Sequence, residues 1–182
     1  MTRIASICAA LLISILPACS AQTASHRKKP EPKPAPTAPE LVEYIRGSLL
    51  AYSPQDGIND NVDVTFDPVS KTLTIKGPAG HCDEFFGALN ANEAVWDVFD
   101  PSDPHQQRDK LLRLTLVSVS GKAARTCYDK DNHVDPTMIA NRARLLFSLS
   151  ETDDLPKFQE TMTKAVKMLI VMSGGSPEKD LF

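Results

Sequence analysis

The first eighteen residues decide how much of this chain is available to fold. Met1-Thr2-Arg3 puts a positive charge ahead of a nearly all-apolar run, Ile4 to Leu16 (IASICAALLISIL), which Leu16-Pro17-Ala18-Cys19 closes. A charged start, a short apolar stretch and a small-residue end are the pattern of a secretory signal. The run is shorter than the ~20 residues a spanning helix needs, and Pro17 would break such a helix. The reading therefore assigns 1–18 to a signal peptide and leaves a single domain of ordinary size to carry the fold.

Leu16-Pro17-Ala18-Cys19 resembles the lipobox of bacterial lipoproteins. That resemblance implies lipidation of Cys19, which becomes the new N-terminus and holds the protein in a membrane of the bacterial envelope. A conventional signal cleaved after Cys19-Ser20-Ala21, with Gln22 at the mature N-terminus, is the alternative. The resemblance covers these residues only and implies nothing about the domain that follows.

Residues 20–38 (SAQTASHRKKPEPKPAPTA) hold small, polar and proline residues and no large apolar side chain. They cannot bury enough surface to offset ordering entropy, so a disordered tether is expected. Alternating Pro30, Pro32, Pro34 and Pro36 favour extended polyproline II, with a reach of roughly 50–60 Å at about 3.1 Å per residue. The expected organisation is signal 1–18, lipidated Cys19 and tether over 19–38, a domain over 39–175, and a flexible tail 176–182.

Charge narrows the partners. The chain carries a net charge of −3, but Arg3, Arg27, Lys28, Lys29 and Lys33 precede the domain, together with Glu31 and Glu40. Residues 41–182 keep 15 basic and 21 acidic residues, a charge of −6. Nucleic acid, which selects a basic face, is excluded as the expected partner. An acidic domain suits a basic protein partner by steering its approach. The tether's cations lie where anionic headgroups would attract them, at about 1 kcal/mol each near the surface.

Of the four cysteines, Cys8 leaves with the signal and Cys19 takes the lipid. Cys82 and Cys127 remain, an even pair in an exported domain, so a disulfide is expected. Closing a loop of about 45 residues stabilises the fold by roughly 4 kcal/mol on the chain-entropy model.

The periodicities predict an α+β domain with a mostly antiparallel sheet. Thr37-Ala38-Pro39-Glu40 opens a helix carrying Leu41, Val42, Ile45, Leu49 and Tyr52, which ends before Pro54. Val62, Val64 and Phe66, then Leu73 and Ile75, alternate with polar residues as a hairpin. His81 to Asn90 fits a short helix with Cys82, Phe85, Phe86 and Leu89 inward. Val95 to Phe99 fits a short strand, Asp100 to Gln107 a surface loop, and Leu111 to Val119 the strongest strand. Ala123 to Tyr128 is expected to return after Gly121-Lys122 as its partner. Asp135-Pro136 predicts a helix through Leu149 with Ile139, Ala143, Leu146 and Phe147 as its stripe. A last helix runs from Pro156 to Met172, with Phe158, Met162, Val166, Leu169 and Met172 inward, and stops at Gly174-Gly175.

Chemistry-bearing patterns are few. His81, Cys82, Cys127 and His133 contain the residue types of a zinc site, but zinc signatures cluster their cysteines and these lie 45 apart, which favours the disulfide. Asp129 to Asp135 (DKDNHVD) echoes a calcium loop. Val134 stands at the glycine position and Ala140 at the bidentate glutamate position of an EF-hand, so a polar loop ending in a cap is the simpler reading. There is no G-x-S-x-G and no H-E-x-x-H, and Gly77-Pro78-Ala79-Gly80 lacks the Gly-Lys-Ser/Thr ending of a phosphate loop and contains a proline that donates no N–H. No cofactor, metal or catalytic residue is assigned. Met138, Met162, Met168 and Met172 are expected to fill the core. Tyr44, Tyr52, Trp96 and Tyr128 fit either an interface or the interior.

These readings favour a membrane-tethered periplasmic or cell-surface binding or scaffold module, a class that includes immunity proteins and inhibitors. The competing class is an envelope hydrolase with a scattered site, for which Asp97, Asp100, Asp103 and His105 are the candidates.

Overall fold

A capping interaction opens the first helix. The Thr37 backbone N–H and hydroxyl donate to the Glu40 carboxylate at 2.7 and 2.8 Å, and Pro39 lies in the first turn of α1 (Ala38–Ala51). In this computed structural model the described residues are 34–54, 60–99, 110–149 and 154–176. The signal reading, the tether reading through residue 33, the loop expected at Asp100 to Gln107 and the tail beyond Ser176 lie outside them, whereas Ala38, assigned to the tether, begins α1, and Ser176, assigned to the tail, is held by backbone hydrogen bonds. The described residues from Ala35 onward belong to one compact unit.

Two antiparallel sheets and two helices make an α+β fold. The first sheet has the order β1-β2-β3-β6, built from β1 (Asp63–Asp67), β2 (Thr72–Gly77), β3 (Gly80–Phe85) and β6 (Arg125–Asp129). The second has the order β4-β5-β7, from β4 (Leu89–Phe99), β5 (Leu111–Ser118) and β7 (Arg142–Ser148). The second helix, α2 (Leu155–Met172), packs against α1 and β4.

The β1–β2 hairpin follows its alternation. Val64 opposes Ile75 and Phe66 opposes Leu73 on the inner face. Its turn is held by Asp67, whose carboxylate accepts from Val69 N at 2.9 Å and Ser70 Oγ at 2.6 Å, while Lys71 takes φ 58°.

The helix expected over His81 to Asn90 is instead strand β3 followed by a 3-10 turn at Phe86–Ala88. Cys82, Phe85, Phe86 and Leu89 fit helical spacing. The ladder to β6 overrides it, with Cys82 opposite Cys127 and Glu84 opposite Arg125. Gly77-Pro78-Ala79-Gly80 continues the sheet, because Gly77 and Gly80 pair across a tight turn. Gly80 sits at φ 149°, and a Cβ there would lie 2.0 Å from the Tyr128 carbonyl oxygen. Only glycine allows β6 so close.

The helix expected from Pro136 to Leu149 is likewise corrected. Asp135 does cap, accepting from Thr137 N at 2.9 Å, but only a 3-10 turn at Pro136–Met138 follows before β7. In β7 the buried residues are Ala143, Leu145 and Phe147, a period of two. β6 pairs with β3 rather than with β5, the partner expected for it. β4 is longer than the Val95–Phe99 strand predicted.

Helix α2 begins with Pro156 in its first turn and Asp154 as cap, and it buries Phe158, Met162, Ala165, Val166, Leu169 and Ile170. Met172 and Met138, expected inside, are exposed. Phe158 meets Tyr52 and Phe147 edge-on at 5.0 and 5.2 Å between centroids. Trp96 joins this group and donates its indole N–H to Thr163 Oγ1 at 2.8 Å, which satisfies the ring's polar edge. One continuous core results, shared by both helices and the inner faces of both sheets. Ser176 then pairs with Leu89 and Ala91 through backbone hydrogen bonds, tying the end of α2 to β4. Among the described residues no helix is long and apolar enough to cross a membrane.

Candidate functional site

The β3–β6 ladder sets the chemistry of the first site. Cys82 and Cys127 stand directly opposite, with Cα atoms 4.0 Å apart, and form the disulfide. Both thiols of the alternative zinc set are consumed in it. Next in register, Arg125 Nε lies 3.1 Å from Cys127 Sγ and Nη2 lies 3.0 Å from Cys82 Sγ, so the guanidinium lies across the sulfurs.

Arg125 Nε is also 3.4 Å from Oε1 of Glu84, which is fully buried. Neither oxygen of Glu84 makes a hydrogen bond of ordinary geometry among the described residues. The Arg144 backbone N–H is directed at the carboxylate, outside that geometry. Burial pushes the Glu84 pKa up to about 8, and the Arg125 charge opposes this without cancelling it. Most of this carboxyl is therefore protonated at neutral pH, which leaves the Arg125 charge largely uncompensated.

These groups stand at the wall of a cleft of about 320 Å³, lined by the disulfide, Arg125, Arg144, Leu146 and Met138, with Asp129 and Asp135 on its polar side. A second concavity of about 250 Å³ lies on the outer face of the β4-β5-β7 sheet, among Val95, Asp97, Arg113, Thr115, Arg142 and Arg144. Arg144 lines both. Strand register explains the gathering. Arg113 opposes Asp97 on β4, while on β7 Arg144 opposes Thr115 and Arg142 opposes Val117. All of these share the face opposite Leu112, Leu114 and Leu116.

Arg113 makes a two-pronged ion pair with Asp97, Nε to Oδ1 at 2.9 Å and Nη2 to Oδ2. This pairing holds the Asp97 carboxyl below its ordinary range and raises Arg113. Arg144 is pulled below the usual arginine value, first by partial burial and then by the Arg125 and Arg113 guanidiniums. Arg142 and Arg144 make no ion pair among the described residues. A domain acidic on average thus carries a local cationic face.

Asp97 is engaged by Arg113, whereas Asp100, Asp103 and His105 lie outside the described residues. His81 stacks on Tyr128 at 4.6 Å with the planes 10° apart. His133 pairs through Nδ1 with Asp129 at 3.4 Å and is exposed. Asp129, Asp131 and His133 offer ligand atoms within 4.8 Å of one another. Oδ1 of Asp129 already accepts from the backbone N–H groups of Asp131 and His133, at 2.8 and 2.9 Å, so the turn itself accounts for the cluster.

Glu84, Arg125, Arg142 and Arg144 escaped the sequence reading. The signal that would have found the last two is Arg-Ala-Arg-Leu-Leu-Phe read at period two, which puts both arginines on one face. No protein-family model matches the chain, nor does any curated protein or solved structure.

Proposed function

We propose that this chain is a lipid-anchored binding module of the bacterial envelope. Its N-terminal cysteine sits in the bilayer, and its domain engages a protein partner in the periplasm or at the cell surface. Immunity proteins and inhibitors fall within this class. The observation that carries the reading is the cleft against the disulfide, where Arg125, Arg144, Leu146 and Met138 combine apolar surface with fixed charge. The disulfide-stapled β3–β6 pair holds the backbone of Arg125 in place and so lowers the ordering cost at binding. Leu16-Pro17-Ala18-Cys19 and the proline-rich segment support the anchor and its reach.

The test has two parts. A fatty-acid probe should label the wild type and not Cys19→Ser; equal labelling, or a mature N-terminus at Gln22, overturns the anchor. Crosslinking in cells and purification from detergent-solubilised membranes should recover one stoichiometric partner, lost when Met138 and Leu146 are both changed to Asp. Turnover of an envelope substrate, abolished by changing one carboxylate or histidine with the fold intact, would put the hydrolase in its place.

A further inference from the structure

Four guanidiniums converge where the two sheets meet, and their counter-charges do not match them. Arg113, Arg142 and Arg144 rise from neighbouring strands on the outer face of the β4-β5-β7 sheet, and Arg125 reaches the same region from β6. Asp97 compensates Arg113. Glu84 lies beside Arg125 but is mostly protonated near neutrality. Arg142 and Arg144 are left without an ion pair among the described residues, on exposed positions of β7. At Arg144 the charged form is disfavoured first by partial burial and then by Arg125, Arg113 and Arg142, with Glu84 opposing them.

Like charges held on a rigid strand pair raise the energy of the free protein, and an anion that neutralises them recovers it. The site also has a shape. Val95 and Val117 supply an apolar floor, Thr115 a hydroxyl beside Arg144, and the Asp97 pair fixes Arg113 in place. Arginine forks match the oxygens of phosphate two at a time, and a phosphate monoester carries nearly two charges at pH 7, one for each unpaired guanidinium.

We infer that the concavity centred on Arg142 and Arg144 is a binding site for a phosphate-monoester group. The inference refines the binding-module reading. Its concavity shares Arg144 with the cleft invoked for the protein partner, so the two readings are told apart by their tests: partner capture at Met138 and Leu146, which do not line this concavity, and phosphate binding at Arg144. Arg144 supplies the central contact and Arg142 the second fork, while the Arg113–Asp97 pair borders the site.

The experiment uses the full-length protein in neutral detergent micelles, titrated with inorganic phosphate at constant ionic strength. Backbone amide NMR shifts of β5 and β7 provide the readout. Saturable binding is expected in the wild type, weakened roughly tenfold to a hundredfold in Arg144→Gln as a charge-assisted pair is lost. Arg144→Lys should recover only part of the affinity, because it restores the charge without the fork. Micelles doped with phosphatidic acid identify the source. If they compete with inorganic phosphate the natural ligand is a lipid headgroup, and if they do not it is a soluble phosphate ester. No saturable shift in the wild type, equal affinity in Arg144→Gln, or tighter binding of glutarate than of phosphate would each overturn the proposal. An unchanged melting temperature shows that Arg144→Gln remains folded.

Discussion

The β4-β5-β7 sheet and the β1-β2-β3-β6 sheet use the same antiparallel pairing to bury different things. Under α2, the first places Leu112, Leu114, Leu116, Ala143, Leu145 and Phe147 against Phe158 and Met162, with no charged side chain on that face. The inner face of the second begins in the same way, with Val64 and Leu73, and then changes across β3 and β6 to a disulfide, a buried carboxyl and a guanidinium. One sheet is held by close packing. The other replaces part of that packing with a covalent staple, and behind the staple it tolerates a group that apolar packing alone would exclude. The larger cleft follows the same division, since it lies against the stapled wall, away from the leucine-packed face.

The largest effect that would break this comparison is expected in the packed layer. Phe147→Ala removes a ring that meets both Phe158 and Trp96, and should cost about 3–5 kcal/mol in urea unfolding. A loss under 1 kcal/mol would mean that this layer is not what holds the sheet.

Replacing both Cys82 and Cys127 by Ala tests the staple. The expected loss is about 4 kcal/mol or somewhat less, with the unfolding transition of the β4-β5-β7 layer still cooperative. An unaffected stability would show that the β3–β6 ladder stands without its crosslink.

The sharpest test is pH. Burial raises the folded-state pKa of Glu84 to about 8, above the ordinary 4.5 of the unfolded chain. The folded protein therefore holds its proton more tightly. The stability linked to that proton is fully present below pH 4.5 and is lost as pH rises toward 8, at about 1.4 kcal/mol per unit within the window. Above about 8 the dependence levels off. Glu84→Gln, which keeps the shape and cannot ionise, should flatten this contribution, seen in unfolding curves at pH 5, 6.5 and 8. An identical slope in wild type and variant would place the carboxyl in water instead of inside the sheet.

Local chemistry was legible wherever one interpretation satisfied every nearby residue. Thr37 and Glu40 with the Leu41, Ile45 and Leu49 stripe specify α1; Val64, Phe66, Leu73 and Ile75 specify the hairpin; Asp154, Pro156 and the Phe158 to Leu169 stripe specify α2. The cysteine pair was legible by elimination. Where two periodicities both fitted, sequence reading failed. Cys82, Phe86 and Leu89 suit a helix or a strand, and so do Ala143 and Phe147.

By itself the sequence determined the α+β class, both helices, the first hairpin, strand β5 and the crosslinked pair, because these depend on contacts within a few residues or on cysteine count. Only the tertiary structure decided that 80–85 and 142–148 are strands, since a strand is stabilised by partners distant in the chain, here β6 and β5. It alone made Glu84 a buried acid. It also brought Arg113, Arg125, Arg142 and Arg144 together, because proximity across a sheet is set by register, and register is a property of the fold.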